Sequence, residues 1–275
     1  MRSLNHRLAF RAAAVLALGA TLTACSKVVP PAGEAPAPAE APAVKYSSAH
    51  DLVTAMHDKY AGNWYRTLRF SQTNTFYAAN GTEQKSRWVE NLSVPGRLRI
   101  DFEPLSSKSG LLILNNRVTT FDNGKRTDSR RSLQAILTLT ADVYAIPPEI
   151  TLRRLDSLKL DLSYIRGDKL DKKRVWVVGA KDEDDLTSNQ MWIDADRLLL
   201  VRLIQSVKAG DRTITTDTRV GGYKDVDGFP VAHEFLSARD GKPYFKEQYE
   251  NVRVNEPLPA NIFDASKWAS VDPAG

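Results

Sequence analysis

Side chains able to do covalent or acid–base chemistry are few and scattered in this chain. Apart from His6, the histidines are His50, His57 and His233. His50 and His57 stand seven apart, whereas two histidines that grip a metal from one helix face stand four apart. There is no Gly-x-Ser-x-Gly elbow and no glycine-rich phosphate loop. The run Asp182-Glu183-Asp184-Asp185 lacks the alternation and the glycine of a calcium loop and reads as a solvated hairpin tip. The one thiol, Cys25, rules out an internal disulfide. The sequence therefore predicts no catalytic residues, no metal site and no cofactor.

Cys25 is notable for what precedes it. Leu22-Thr23-Ala24-Cys25 resembles a lipobox, the cleavage and acylation site of bacterial lipoproteins. Arg2, Arg7 and Arg11 give a basic start, and residues 12–22 form an apolar core too short to span a bilayer. The resemblance implies that 1–24 is a signal peptide and that Cys25 becomes lipidated. Two or more acyl chains anchor stably, at about 0.8 kcal/mol per buried methylene. Removing 1–24 takes away those three arginines and no acid, which leaves 35 basic against 33 acidic residues. So balanced a chain, exported, has no nucleic-acid partner.

Residues 25–46 read as the lipidated cysteine and a Pro/Ala-rich linker, extended at about 3.1 Å per residue. The folded domain is expected over 47–275. Ser48-Ala49-His50-Asp51 is a capping-box pattern, and Leu52, Val53, Met56 and Tyr60 recur at helical spacing up to Gly62. Short strands follow over 66–78, 82–93, 97–103, 110–114, 117–122 and 125–129. Asn80-Gly81, Asn115-Asn116 and Asn123-Gly124 turn between them. Residues 131–156 read as helix broken by Pro147-Pro148. Strands resume with the alternation Leu158, Leu160, Leu162, Tyr164, then over 175–178, 190–194, 198–207, 212–220, 231–238 and 244–254.

About a dozen sequential strands with tight turns predict a mainly β fold with a few α-helices, built on one large antiparallel sheet. A sheet of that size curls. Its concave side should be apolar, with the helices over it. Leu98, Ile100 and Phe102 should face in while Arg97, Arg99 and Asp101 face water, because burying the charges is costly. Phe70, Trp88, Leu98, Ile100, Phe102, Phe121 and Trp192 should line the concave face, whether it is a packed core or an open hydrophobic cavity.

Several stretches resemble the LolA/LolB-like family of outer-membrane lipoprotein-sorting proteins. They are Phe70-Ser71-Gln72, Trp88-Val89, Pro95-Gly96-Arg97-Leu98-Arg99, Met191-Trp192-Ile193-Asp194 and Tyr223-Lys224-Asp225-Val226-Asp227-Gly228-Phe229-Pro230. Asn251-Val252-Arg253-Val254-Asn255 with Ile262-Phe263 completes the set. The likeness runs from about 48 to 268. It implies a half-open β-barrel that holds acyl chains under a helical lid. In the family's soluble carriers a basic residue precedes the proline matched by Pro95 and ties lid to sheet; here Val94 stands there. The family's membrane-anchored acceptor has an apolar residue on a protruding loop, a position matched here by Leu105 in 103–109.

Three functions follow from these readings. One is an outer-membrane-anchored lipoprotein that faces the periplasm and carries or accepts lipid or lipoprotein acyl chains, with a periplasmic carrier or another envelope protein as partner. Another is a lipid-responsive envelope sensor. The third is a structural lipoprotein with a filled core. All three share the membrane anchor. Ser26 in place of aspartate after Cys25 fits outer-membrane residence under the family's sorting rules. Palmitate labelling and membrane fractionation should both be lost in Cys25→Ser; unchanged labelling contradicts lipidation.

Overall fold

The computed structural model describes residues 46–274. The lipobox with Cys25, the signal peptide at 1–24 and the linker up to 45 lie outside the described residues. Tyr46, read from sequence as linker, packs edge-on against Trp176 with ring centroids 5.4 Å apart.

Helix α1 (Ala49–Tyr60) starts where the Ser48 hydroxyl accepts the Asp51 N–H, and it buries Leu52, Val53 and Met56. Six strands follow: β1 (Thr67–Tyr77), β2 (Glu83–Ser93), β3 (Arg97–Phe102), β4 (Gly110–Leu114), β5 (Arg117–Asp122) and β6 (Lys125–Arg131). Asn115 and Asn116 at φ 51° and 59°, and Asn123 and Gly124 at 47° and 75°, make the left-handed turns that match strand twist. Next come α2 (Ala135–Thr140), a 3-10 turn at Asp142–Tyr144 and α3 (Pro148–Ser157). The second run of strands opens with β7 (Ile165–Leu170), β8 (Lys173–Val178), β9 (Gln190–Asp194), β10 (Leu200–Ala209) and β11 (Arg212–Gly221). A small hairpin, β12 (Lys224–Val226) with β13 (Phe229–Val231), precedes β14 (Glu234–Arg239) and β15 (Lys242–Val254).

Thirteen strands form one antiparallel sheet in the order β6-β5-β4-β3-β2-β1-β15-β14-β11-β10-β9-β8-β7. It is curved and does not close into a barrel. Two meanders thus meet at one seam, β1 against β15. Tyr60 Oη and Tyr144 Oη donate to the carbonyls of Arg197 and Leu198, and Asn189 donates to Leu158 O. These bonds hold α1, the 3-10 turn and the end of α3 on the concave side beside the second meander. The core they close is apolar, from Leu52 and Leu155 to Met191, Ile193 and Leu203.

Two expectations fail here. The alternation at 158–164 is not a strand. Leu158 ends α3, Lys159 takes φ 63°, and Asp161 Oδ1 accepts the Ser163 N–H in a tight turn. The strand lies one step later, as β7. More important, Arg99 and Asp101 do not face water. They are 2% and 3% exposed on the convex side, beneath residues 262–273. Their bond is two-pronged, Nε to Oδ2 and Nη2 to Oδ1, both 2.8 Å. Arg99 also donates to Trp268 O at 3.0 Å and stacks 4.0 Å over the Trp268 ring. Trp268 lies flat on Phe121 at 4.2 Å. Gly110 is required beneath it, since a Cβ there would come within 2.0 Å of Ile100 O. Burial of these charges is tolerated because every prong is paired.

Removing one partner strands a buried charge, which costs about 3–5 kcal/mol, whereas replacing both by apolar groups costs far less. Asp101→Ala should therefore lower the urea midpoint strongly, and Arg99→Met with Asp101→Leu should recover most of the loss. A double variant no more stable than Asp101→Ala contradicts this account.

Candidate binding cavity

The strand register sorts the concave face into rows. Leu68, Leu92, Leu98, Ile113 and Val118 sit side by side across β1 to β5. The next row is Phe70, Glu90, Ile100, Leu111 and Thr120. The third is Tyr249, Gln72, Trp88 and Phe102. Each row follows from the period-two alternation of side chains. Beneath α2 these rows do not fill the space. A cavity of about 260 Å³ remains, just below the ~300–1,000 Å³ typical of ligand pockets.

Its walls come from three sources. Leu68, Phe70, Ile100 and Ile113 form the sheet side. Gln134, Ile136, Leu137 and Thr140 of the α2 segment form the lid. Tyr223 and Pro230–Ala232 close the side next to the β12–β13 hairpin. The concave face is thus packed with helices along the second meander and hollow near the seam.

Val94 cannot supply a charged tie between lid and sheet, and here the tie runs the other way. Asp142, 1% exposed between α2 and α3, accepts the Gly96 N–H at 2.9 Å and pairs with Arg154 at 2.6 Å. Burial raises the Asp142 carboxyl above its ordinary range, and the Arg154 hydrogen bond offsets part of that.

Two carboxylic acids line this apolar space. Glu90 is 5% exposed and, among the described residues, has no hydrogen-bond or ion-pair partner. Burial, and then the charge of Glu247, push its carboxyl well above the ordinary range. Glu247 is only half-buried by area, yet it lies on the wall of a narrow cavity, and that enclosure holds it up to about 7. Tyr249 stacks on Phe70 at 4.0 Å, and its phenol is raised by burial and then by both glutamates. Gln72 and Asn74, both fully buried, bond to each other and leave Gln72 Oε1 and Asn74 Nδ2 unpartnered.

The residues read from sequence divide into three groups. Phe70, Trp88, Leu98 and Ile100 line the cavity. Phe102 lies on the same face, its ring 5.0 Å from Trp88, but outside the cavity lining. Phe121 and Trp192 face the other way, which corrects the expectation for both. Val118 and Thr120 take the inward positions of β5, so Phe121 turns outward under Trp268. Met191 and Ile193 take those of β9, so Trp192 joins Val175, Val177 and Ala180 on the convex side. Leu105 is half-buried in a 3-10 turn at Leu105–Ser107. Sequence reasoning missed Glu90, Glu247 and Tyr249. Their signal was parity: Glu90 alternates with Trp88 and Leu92, and Glu247 with Phe245 and Tyr249. Among the described residues there is no group of three or more metal-ligating side chains and no helix long and apolar enough to cross a membrane.

The folded protein holds the Glu247 proton more tightly than the unfolded chain does. Stability should therefore fall as pH rises from about 4.5 to about 7, because only the native state still has that proton to lose there. Chemical denaturation across this window should show the decline, and Glu247→Gln should make it shallower, Glu90 supplying the remainder. An equally steep decline in the variant would assign the effect to other groups.

No protein-family model and no curated protein sequence matches the chain. Its fold, however, recurs among solved structures. A DUF1329 family protein from Desulfovibrio piger superposes with a TM-score of 0.54 at 14% identity, covering 80% of this chain and 97% of that one. A LolA superfamily protein from Nitrosomonas europaea gives 0.50 at 12% identity, covering 79% and 98%. An outer membrane lipoprotein-sorting protein domain from Vibrio parahaemolyticus gives 0.53 at 10% identity, covering 80% and 97%. At such identities the likeness speaks for architecture, and on that ground the chain has the LolA-like fold, a half-open β-sheet covered by helices.

Proposed function

We propose that the protein is an envelope lipoprotein that holds a lipid or lipoprotein acyl chain in the cavity beneath α2 and acts as a carrier or acceptor in lipid or lipoprotein trafficking. The observation that carries this reading is the unfilled apolar space of about 260 Å³ on an otherwise packed concave face. Burial of a chain there would contribute about 25 cal/mol per Å² of apolar surface, without direction and with tolerance for chain type. The sorting-domain neighbour from Vibrio parahaemolyticus supports an envelope role by analogy of fold. Cys25, lipidated, would tether the domain to the outer membrane on the periplasmic side through the Pro/Ala-rich linker. We read the protein as a binding protein and not an enzyme. A sensor role would use the same cavity and add a stoichiometric protein partner.

The test is saturable binding of a neutral fluorescent monoacylglycerol to the domain 45–275. Ile100 lines the cavity, so Ile100→Trp should fill it and abolish binding while costing no more than the ~1–3 kcal/mol of overpacking. A folded wild-type domain without saturable binding, or an Ile100→Trp variant that binds equally well, refutes the proposal.

A further inference from the structure

The polar groups of the cavity do not suit an anionic lipid. The lining contains two acids and no lysine, arginine or histidine. Glu90 is almost fully buried, faces the cavity and is unpartnered among the described residues. Its carboxylate is not sealed among packed side chains but opens onto the cavity, where a guest can reach it. Glu247 lies across β1 from it on β15, in line with Asn74, while Glu90 is in line with Phe70. Between the two rows stand Gln72 and Tyr249; Tyr249 lines the cavity, while Gln72 lies behind the lining and donates to Asn74. The nearby aromatic faces are Phe70, stacked on Tyr249, and Phe235, 5.1 Å from Tyr249.

We infer that the cavity selects amphiphiles bearing a protonated amine, with the ammonium group held at Glu90 and Glu247 against the Tyr249–Phe70 stack and the alkyl chain lying along Leu68, Leu98 and Ile113. The inference rests on the lipid-binding reading above and names the ligand class. An ammonium group has up to three donors, and here it meets carboxylate acceptors and aromatic faces that attract cations. A phosphate or carboxylate head would meet two acids and no counter-charge. The raised carboxyls of Glu90 and Glu247 agree with this arrangement, because an acid desolvated in the empty cavity ionises most readily when a cation arrives.

Displacement of the neutral fluorescent monoacylglycerol from the mature protein tests it, with dodecylamine, dodecanol and dodecanoate at neutral pH as competitors. Dodecylamine should compete more tightly than dodecanol by roughly tenfold or more, the worth of one charge-assisted hydrogen bond, and dodecanoate should be weakest. The amine-to-alcohol ratio should collapse in Glu90→Gln and shrink in Glu247→Gln, with thermal melts reporting that each variant is folded. Lysophosphatidylethanolamine and lysophosphatidylglycerol identify the source. Preference for the first places the ammonium on a lipid headgroup, and rejection of both beside tight dodecylamine binding places it on a smaller amphiphile; either result supports the inference. Dodecanol or dodecanoate competing as well as the amine overturns it while leaving the lipid cavity standing. Failure of the monoacylglycerol itself to bind overturns both.

Discussion

The structure depends on the pairing of β1 with β15. Every other strand pair in the large sheet lies within one meander, between strands close in sequence, whereas this pair joins Leu68 to Val254 and Phe76 to Phe245. It has the widest sequence separation of the ladders and so the largest loop-closure entropy. The register slips between Arg69 and Ser71, and a slip of this kind bends a strand and sharpens its twist. The bend falls beside Phe70. The hollow on the concave face therefore opens where the two meanders meet, and not in the middle of either.

The same seam gathers the polar groups. Elsewhere the concave face is largely apolar and the helices dock on it directly beside the second meander. Along β1, β2 and β15, Gln72, Asn74, Glu90 and Glu247 interrupt the pattern. The costly Arg99–Asp101 pair is fully matched on the convex side, whereas here polar side chains face an apolar space and Gln72 and Asn74 are only partly paired. Such breaks concentrate at functional sites. The lid agrees with that division, for the charged tie of Asp142 to Gly96 and Arg154 lies at its edge, and among the described residues no basic group lines the space beneath.

Much of the fold is legible in the sequence because its turns are chemically explicit. Asparagine and glycine at left-handed positions fix the hairpins of the first meander, and the strands at 110–114, 117–122 and 190–194 fall where alternation puts them. What was not legible depends on contacts distant in sequence. Arg99 and Asp101 read as solvent-facing because nothing local reveals that Trp268 will cover them. Leu158 to Tyr164 alternate like a strand, yet Lys159 and Asp161 turn the chain. Phe121 and Trp192 read as inward-facing aromatics, whereas strict alternation from Val118 and Met191 turns both out. Of the site, the apolar half was legible by pattern. The glutamates escaped because an acid in a strand is read as solvent-facing by default.

The segment that covers the convex side has a mechanical meaning. Residues 262–273 cross behind the cavity wall and bond to three adjacent strands, to β1 through Arg69, to β2 through Asn91 and to β3 through Arg99. Phe121 and Leu112 extend the contact to β5 and β4. The wall that carries Phe70, Glu90 and Ile100 is in effect a two-ply laminate, with the sheet as one ply and this segment as the other. A laminate resists flexing far better than either layer alone. Any swelling needed to admit a guest must then come from the opposite side, where α2 and Pro230–Ala232 lie with no second layer bonded behind them among the described residues. The molecule is built like a clamp with one fixed jaw, and that jaw carries Glu90, while Glu247 stands on the neighbouring β15.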